Sequence, residues 1–447
     1  MTILSRAALA LASLLLAAGF PPAVHAADPP TLTAIRCGRL IDVKAGRAVT
    51  DAAGMILLIE NGRIVSTGPK LPIPPGARII DLGSATVLPG LIDAHTHLLT
   101  NVDPDQSDAQ FSGTLFTEMS AGKRALLGAA MAREMLEAGF TGVRDLGNSG
   151  TNNDVALRDA IHDGWVSGPR MAVSTRALSP VGGQYGKLSP AGRALIPLEY
   201  AEITGADEAR RAVRQAIWDG ATVIKVIVNA ATTLSPDEMK AIVDEAHRNG
   251  LKVAAHATDD ASTRLAAEAG VDSIEHAYTV ADDVLRRMAA KRIYLVPTDY
   301  PLAFVERLTK SELDRAPELA KEIRENLQKG IDAGRERLAR ARKFGVPIAA
   351  GSDEYFAVPG QTRGQSARLI FRAYADAGMK PLDILRAATV DAADLLGWKD
   401  QLGTLEPGKY ADLIAVPGDP LADISELDKV GFVMKGGVVA RDEMSKK

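Results

Sequence analysis

The sequence predicts an α/β protein, a (β/α)8 TIM barrel with a small β-sandwich domain built from both chain ends. Three observations lead to it. Short apolar runs alternate with helical patterns along the middle of the chain, those runs number eight, and the two ends share a β-rich texture broken by turn signals.

Residues 1–26 come first and stand apart. Arg6 precedes the apolar run Ala7 to Gly19, then Pro21, Pro22 and a Val24-His25-Ala26 stretch of the kind a signal peptidase cuts. The expectation is a cleaved secretory signal and a periplasmic or secreted protein. Its apolar core is shorter than the ~20 residues a transmembrane helix needs, so no membrane attachment is expected after removal. The lone Cys37 leaves no internal disulfide.

Residues 27–88 and 402–447 are expected to form the small β-domain. Ala34 to Cys37, Met55 to Ile59, Arg63 to Val65 and Arg78 to Asp81 read as strands, and Asn61-Gly62 between two of them is a strong hairpin signal. Asp412 to Val416, Val430 to Met434 and Val438-Val439 repeat the texture at the other end.

Residues 89–401 carry the barrel pattern. Its eight runs are Gly90 to His97, Gly139 to Asp145, Arg170 to Thr175, Thr222 to Val228, Lys252 to His256, Ser273 to His276, Ile293 to Pro297 and Pro347 to Asp353. Glu208 to Gly220, Ser235 to Gly250 and Arg324 to Gly345 have helical periodicity, and Ser235-Pro236-Asp237-Glu238 reads as an N-cap with an acidic first turn. The charges of the last of these helices are mixed in sign, which fits a solvated helix better than a nucleic-acid surface. With 24% charged residues and a net charge of −4 over 447 residues, the chain lacks the basic excess that DNA or RNA binding requires.

Histidine is scarce, with seven in the chain, and His95, His97, His256 and His276 fall at the C-terminal ends of predicted barrel strands. Active sites of this architecture are built there. In His95-Thr96-His97 the two imidazoles are one residue apart, so on a strand both project to one side and one metal could bind both. The bland alternative is a packed, hydrogen-bonded pair. Lys225 interrupts the apolar run Val223 to Val228, where an unpaired ammonium is costly. An ion pair with a carboxylate is one solution. The other is reaction with carbon dioxide to a carbamate whose two oxygens can bridge two cations. Asp353 closes the eighth run, either as a helix N-cap or as a site carboxylate. His162 and His247 lie near helix ends and are read as structural.

The order His-X-His after strand one, Lys on strand four, His on five, His on six and Asp on eight resembles the amidohydrolase superfamily. The likeness spans nearly the whole mature chain, from Leu88-Pro89-Gly90-Leu91-Ile92-Asp93-Ala94-His95-Thr96-His97 to Gly403-Thr404-Leu405-Glu406-Pro407-Gly408-Lys409-Tyr410-Ala411-Asp412. It implies a metal-dependent hydrolase of amide and peptide C–N bonds with two divalent ions, most simply zinc. His95, His97 and Asp353 would hold the more buried ion, His256 and His276 the second, and carboxylated Lys225 would bridge them. It further implies attack by a metal-bridging hydroxide, with Asp353 as the catalytic acid-base group that passes a proton to the leaving amine.

Within the superfamily the chain is similar to the Xaa-Pro dipeptidase and carboxypeptidase-like branch, which includes ochratoxin-hydrolysing amidases. Its substrates are small molecules, dipeptides or N-acyl amino acids cut at the C-terminal amide. Ser174 to Gly186 matches that branch's glycine-rich loop, but Gln184 stands where many relatives have His. Gln184, Tyr185 and Tyr278 are therefore the candidates for polarising the scissile carbonyl, and Arg176 and Arg363 for reading a free carboxylate. The expected assembly is a homo-oligomer, with an octamer among the candidates. A two-metal lactonase, cyclic imidase or phosphotriesterase is the competing reading, and a non-catalytic periplasmic binding protein a remote one.

Overall fold

The computed structural model describes residues 32–106, 118–185 and 188–445, so the expected signal segment lies outside the described residues. Strands β1 (Leu32–Asp42), β2 (Arg47–Glu60), β3 (Arg63–Pro69), β4 (Arg78–Asp81) and β5 (Thr86–Pro89) come first. They are followed by β6 (Leu91–Thr96), β7 (Phe140–Asp145), β8 (Arg170–Val173), β9 (Ala177–Ser179), β10 (Tyr200–Glu202), β11 (Val223–Ile227), β12 (Lys252–Ala257), β13 (Ser273–His276) and β14 (Tyr294–Val296). The last three are β15 (Leu413–Val416), β16 (Phe432–Lys435) and β17 (Val438–Asp442).

The ends of the chain meet in one eight-stranded sheet, ordered β17-β16-β15-β5-β1-β2-β3 with β4 on β1. Asn61 (φ 50°) and Gly62 (φ 75°) join β2 to β3, the two positive angles a tight hairpin of the right twist requires. Ile35, Leu57, Val87, Leu413 and Phe432 are fully buried in the core beneath this sheet.

The middle of the chain is a mixed α/β unit. Strands β9 and β11 to β14 pair in parallel and in sequence, as do β6, β7 and β8, with helices between most neighbours. Helix Pro236–Arg248 starts at Ser235 with a complete capping box, closed by Glu238. Helix Ala320–Phe344 ends on Gly345 at φ 77°, and only Arg337, Leu338 and Ala341 of its described side chains are buried, as its mixed charge anticipates.

The eighth apolar run is the exception, because residues 347–353 form no regular strand. Pro347 has no N–H to give, and Ala350 N donates to Ala387 O instead of along a ladder. The run is still hydrogen-bonded on both sides: Leu295 N to Pro347 O and Ala349 N to Leu295 O tie it to β14, and Ala94 N to Ala350 O ties it to β6. Thr222 N to Val173 O links the end of β8 to the start of β11. Among the described residues no helix is long and apolar enough to cross a membrane.

Candidate metal centre

The C-terminal ends of the parallel strands bring six side chains together. His95 is the last residue but one of β6 with His97 just beyond the strand, Lys225 is central in β11, His256 lies near the end of β12, His276 ends β13, and Asp353 closes the eighth run. Ring centroids are 5.2 Å apart for His95 and His97, 5.3 Å for His95 and His276, and 4.6 Å for His256 and His276. Asp353 Oδ1 lies 3.0 Å from His97 Nε2 and 3.4 Å from His95 Nε2, and Lys225 Nζ is 3.3 Å from the same His95 nitrogen. Ligand atoms of His95, His276 and Asp353 all fall within 4.8 Å of one another.

On a regular strand adjacent residues such as Glu275 and His276 point to opposite faces. The backbone turns left-handed at His276 (φ 74°), Ala277 (φ 49°), Thr298 (φ 57°) and Asp353 (φ 54°). Each such non-glycine residue costs of order 1–3 kcal/mol, and these strained positions cluster at the strand ends. The consequence is that Glu275 and His276, adjacent on β13, both face the cluster.

Hydrogen bonds then decide which nitrogen each ring offers. His97 Nδ1 lies 2.8 Å from Gly147 O, an oxygen that can only accept, so the ring proton is on Nδ1 and the Nε2 lone pair is open. Thr298 gives its hydroxyl proton to Pro297 O (2.7 Å), so it accepts from His276 Nδ1 (2.8 Å) with the same result. His95 Nδ1 donates to Glu275 Oε2 at 2.9 Å. Three imidazoles are thus prepared as Nε2 donors. His256 differs, its Nε2 facing the Gln184 amide at 3.3 Å.

The electrostatics agree with a site for cations. Burial pushes His95 and His276 well below the ordinary histidine range and His256 down to about 4, with Lys225 adding to the effect, so the rings are neutral lone-pair donors near pH 7. Burial also lowers the Lys225 amine to about 8, against the opposing pull of Glu275 and Asp353. At Asp353 burial alone would raise the carboxyl, but the positive charge gathered around it, that of Lys225 included, outweighs burial and holds the group below the usual carboxylate range. Buried imidazoles with oriented lone pairs around a carboxylate fit a divalent metal ion.

Comparison with known proteins gives the family. The profile of the amidohydrolase family matches residues 86–440. The chain belongs to the amidohydrolase family. The ochratoxinase of Aspergillus niger is 32% identical to it, over 93% of this chain and 88% of that one. A crystal structure of a Xaa-Pro dipeptidase with methionine bound in its active site superposes with a TM-score of 0.76 at 29% identity, covering 92% of this chain and 100% of that one. A prolidase complexed with N-methylphosphonate-L-proline gives 0.78 at 28% identity, covering 92% and 100%. The protein is therefore a hydrolase acting on amide bonds of small molecules, in a family that generally uses divalent metal ions.

Of the residues expected to bind substrate, this amidohydrolase places two, Gln184 and Tyr278, beside its cluster. Gln184 accepts from Tyr200 Oη through Oε1 (3.1 Å), which turns its amide nitrogen towards His256. Tyr278 Oη is 3.4 Å from His276 Nδ1 and the ring is half exposed. Tyr185 packs edge-on against Tyr200 at 5.6 Å, and burial raises its hydroxyl above the ordinary tyrosine range. The two arginines both make contacts within the protein. Arg363 is 3% exposed, and its guanidinium is spent on Glu354 O, His97 O, Thr100 O and Asn101 Oδ1, so it braces loops instead of reading a carboxylate. Arg176 donates to Pro197 O at 2.9 Å and faces Asp219, a loop brace as well.

Arg144 and Glu275 were not among the expected site residues, yet both meet it. The reasoning that singled out Lys225, a charge inside a buried strand, applies equally to Phe140–Asp145 and Ser273–His276, whose residues are all buried. Gly351 is a further unflagged requirement. A Cβ there would lie 2.4 Å from Val296 Cγ1, 2.9 Å from His95 Cβ and 3.1 Å from His95 N. Gly351→Ala is accordingly expected to displace His95 and weaken metal binding about tenfold or more, the scale of a disturbed ligand shell. Metal titration of the purified variant checks this; wild-type affinity would show that β6 can yield without moving the ring.

Proposed function

We propose that this amidohydrolase cleaves the C-terminal amide bond of dipeptides or N-acyl amino acids, with ochratoxin-type amides of phenylalanine in the same class. The observation that carries the reading is the gathering of His95, His97, His256, His276, Lys225 and Asp353 at one end of the parallel strands. The architecture in this proposal is a closed (β/α)8 barrel, supported by the hydrogen bonds that tie residues 347–350 between β14 and β6. Residues 27–88 and 402–447 would form its β-sandwich partner.

Two divalent cations, with zinc first among the candidates, would supply Lewis acidity, acidifying water and polarising a carbonyl. His95, His97 and Asp353 would hold one, His256 and His276 the other, and a carbamate on Lys225 would serve both. Asp353, kept ionised, takes a proton from the attacking water at a carboxylate oxygen and hands it to the departing nitrogen. That transfer matters because an amide anion is a very poor leaving group. With the Arg363 guanidinium committed elsewhere, Gln184 and Tyr278, which adjoin His256 and His276, would orient the substrate's carbonyl. In this reading the mature enzyme works in the periplasm or outside the cell, on the strength of Arg6 and the apolar run behind it.

The test is metal analysis of the purified protein with a screen of dipeptides and N-acyl amino acids differing in the C-terminal residue, set against lactones and phosphotriesters. About two metals per chain, loss of activity to a strong chelator and turnover of the amides are expected. Turnover confined to lactones or phosphotriesters would overturn the substrate class.

A further inference from the structure

Arg144 of β7 and Glu275 of β13 are both buried, 1% and 0% exposed, and lie in direct contact between those two strands. Glu275 Oε1 accepts from Arg144 Nη2 (2.9 Å) and from Ser273 Oγ (2.5 Å), while Oε2 accepts from His95 Nδ1 (2.9 Å). Arg144 also donates through Nε to Ala94 O (2.5 Å) and through Nη1 to Ser273 Oγ (3.0 Å). One guanidinium thus grips β13 at Ser273 and Glu275, and β6 at the residue before His95. Both oxygens of the carboxylate are used, one on the guanidinium and one on the ring.

A buried ion pair is poor evidence of stability, because desolvating two charges costs several kcal/mol per ion and apolar replacements of similar volume are often neutral or stabilising. Its position carries more weight. The partners behind the other two oriented rings are neutral, Gly147 O for His97 and Thr298 Oγ1 for His276. Among these three rings His95 alone is backed by a carboxylate, the partner that makes an imidazole the strongest donor.

We propose that Glu275 is a positioning residue, acting through His95 to strengthen the more buried metal position, and that Arg144 anchors it for that role. The inference rests on the metal-centre reading above. It adds an asymmetry between the two ions, since the one on His95, His97 and Asp353 depends on the pair and the one on His256 and His276 does not.

The decisive experiment is zinc titration, by competition with a chromophoric chelator, of wild type, Glu275→Gln and the double variant Arg144→Met with Glu275→Leu. Melting of the metal-free proteins, and of Glu275→Leu by itself, is recorded alongside. Wild type is expected to bind about two ions; if it binds none, the metal-centre reading fails by itself. For both variants the expected result is loss of one of two binding steps, its affinity weakened ~10–100-fold, with the other step unchanged. The double variant leaves neither charge buried alone, so it should lose less in melting temperature than Glu275→Leu by itself. Unchanged affinity for both ions in a folded variant would overturn the proposal, as would equal weakening of both steps. Nitrogen NMR of the His95 ring in the zinc-loaded wild type needs no substitution and guards against misfolded variants. A protonated, hydrogen-bonded Nδ1 is expected, and an unprotonated Nδ1 would refute the role of Glu275.

Discussion

Asp353→Asn is expected to lower kcat by at least ~100-fold, the contribution of a lost acid-base group, while leaving most of the metal in place. The substitution is unusually clean at this position. Asp353 sits at φ 54°, a left-handed conformation that asparagine tolerates better than almost any other non-glycine residue, so the backbone need not move. An amide oxygen can still face His97 Nε2 and a cation, whereas it cannot take up a proton near neutral pH and return it to nitrogen. Turnover should therefore fall far more than KM or the affinity for a competitive inhibitor. Metal content, inhibitor binding and kcat would be compared on one N-acyl amino acid. If kcat stayed within about tenfold of wild type, less than the expected ~100-fold, the proton would have to travel by another group and the role given to Asp353 would be wrong.

The sequence was most legible where a residue type contradicted its surroundings. Lys225 inside an apolar strand and histidines at the ends of apolar runs are local signals, and the structure gathers all of them. Partners distant in sequence were not legible. Glu275 lies 180 residues from His95 and 131 from Arg144, so neither its hydrogen bond nor its ion pair leaves a trace in local spacing. Arg363 was not legible for the same reason, because carbonyls more than 260 residues away, His97 O and Thr100 O, absorb the guanidinium that an arginine near a strand end could offer to substrate. The eighth run kept its apolar pattern but lost its ladder to a bond between Ala350 N and Ala387 O, a competition that periodicity does not record.

Lys225→Ala is expected to have the other large effect, and the reasoning begins with cost. Lys225 is 3% exposed in a strand whose other residues are all apolar and buried, and its burial lowers the amine to about 8. A lowered amine carries a larger neutral fraction near pH 7, and the neutral amine is the form that adds carbon dioxide to give a carbamate. If that carbamate serves both cations, removing it should weaken metal binding and turnover beyond the ~10–100-fold typical of a lost supporting contact. Misfolding is a poor explanation for such a loss, since replacing a buried ammonium by alanine relieves a desolvation penalty. Short carboxylates such as acetate or propionate should restore part of the activity by filling the vacated space, and wild-type activity lost in acid should return with bicarbonate. Turnover and metal content of the variant, measured against rising propionate, check both expectations. A Lys225→Ala protein that turns over at the wild-type rate with two bound metals, or an unmodified ammonium in the electron density of an active metal-loaded crystal, would leave the bridging role without support.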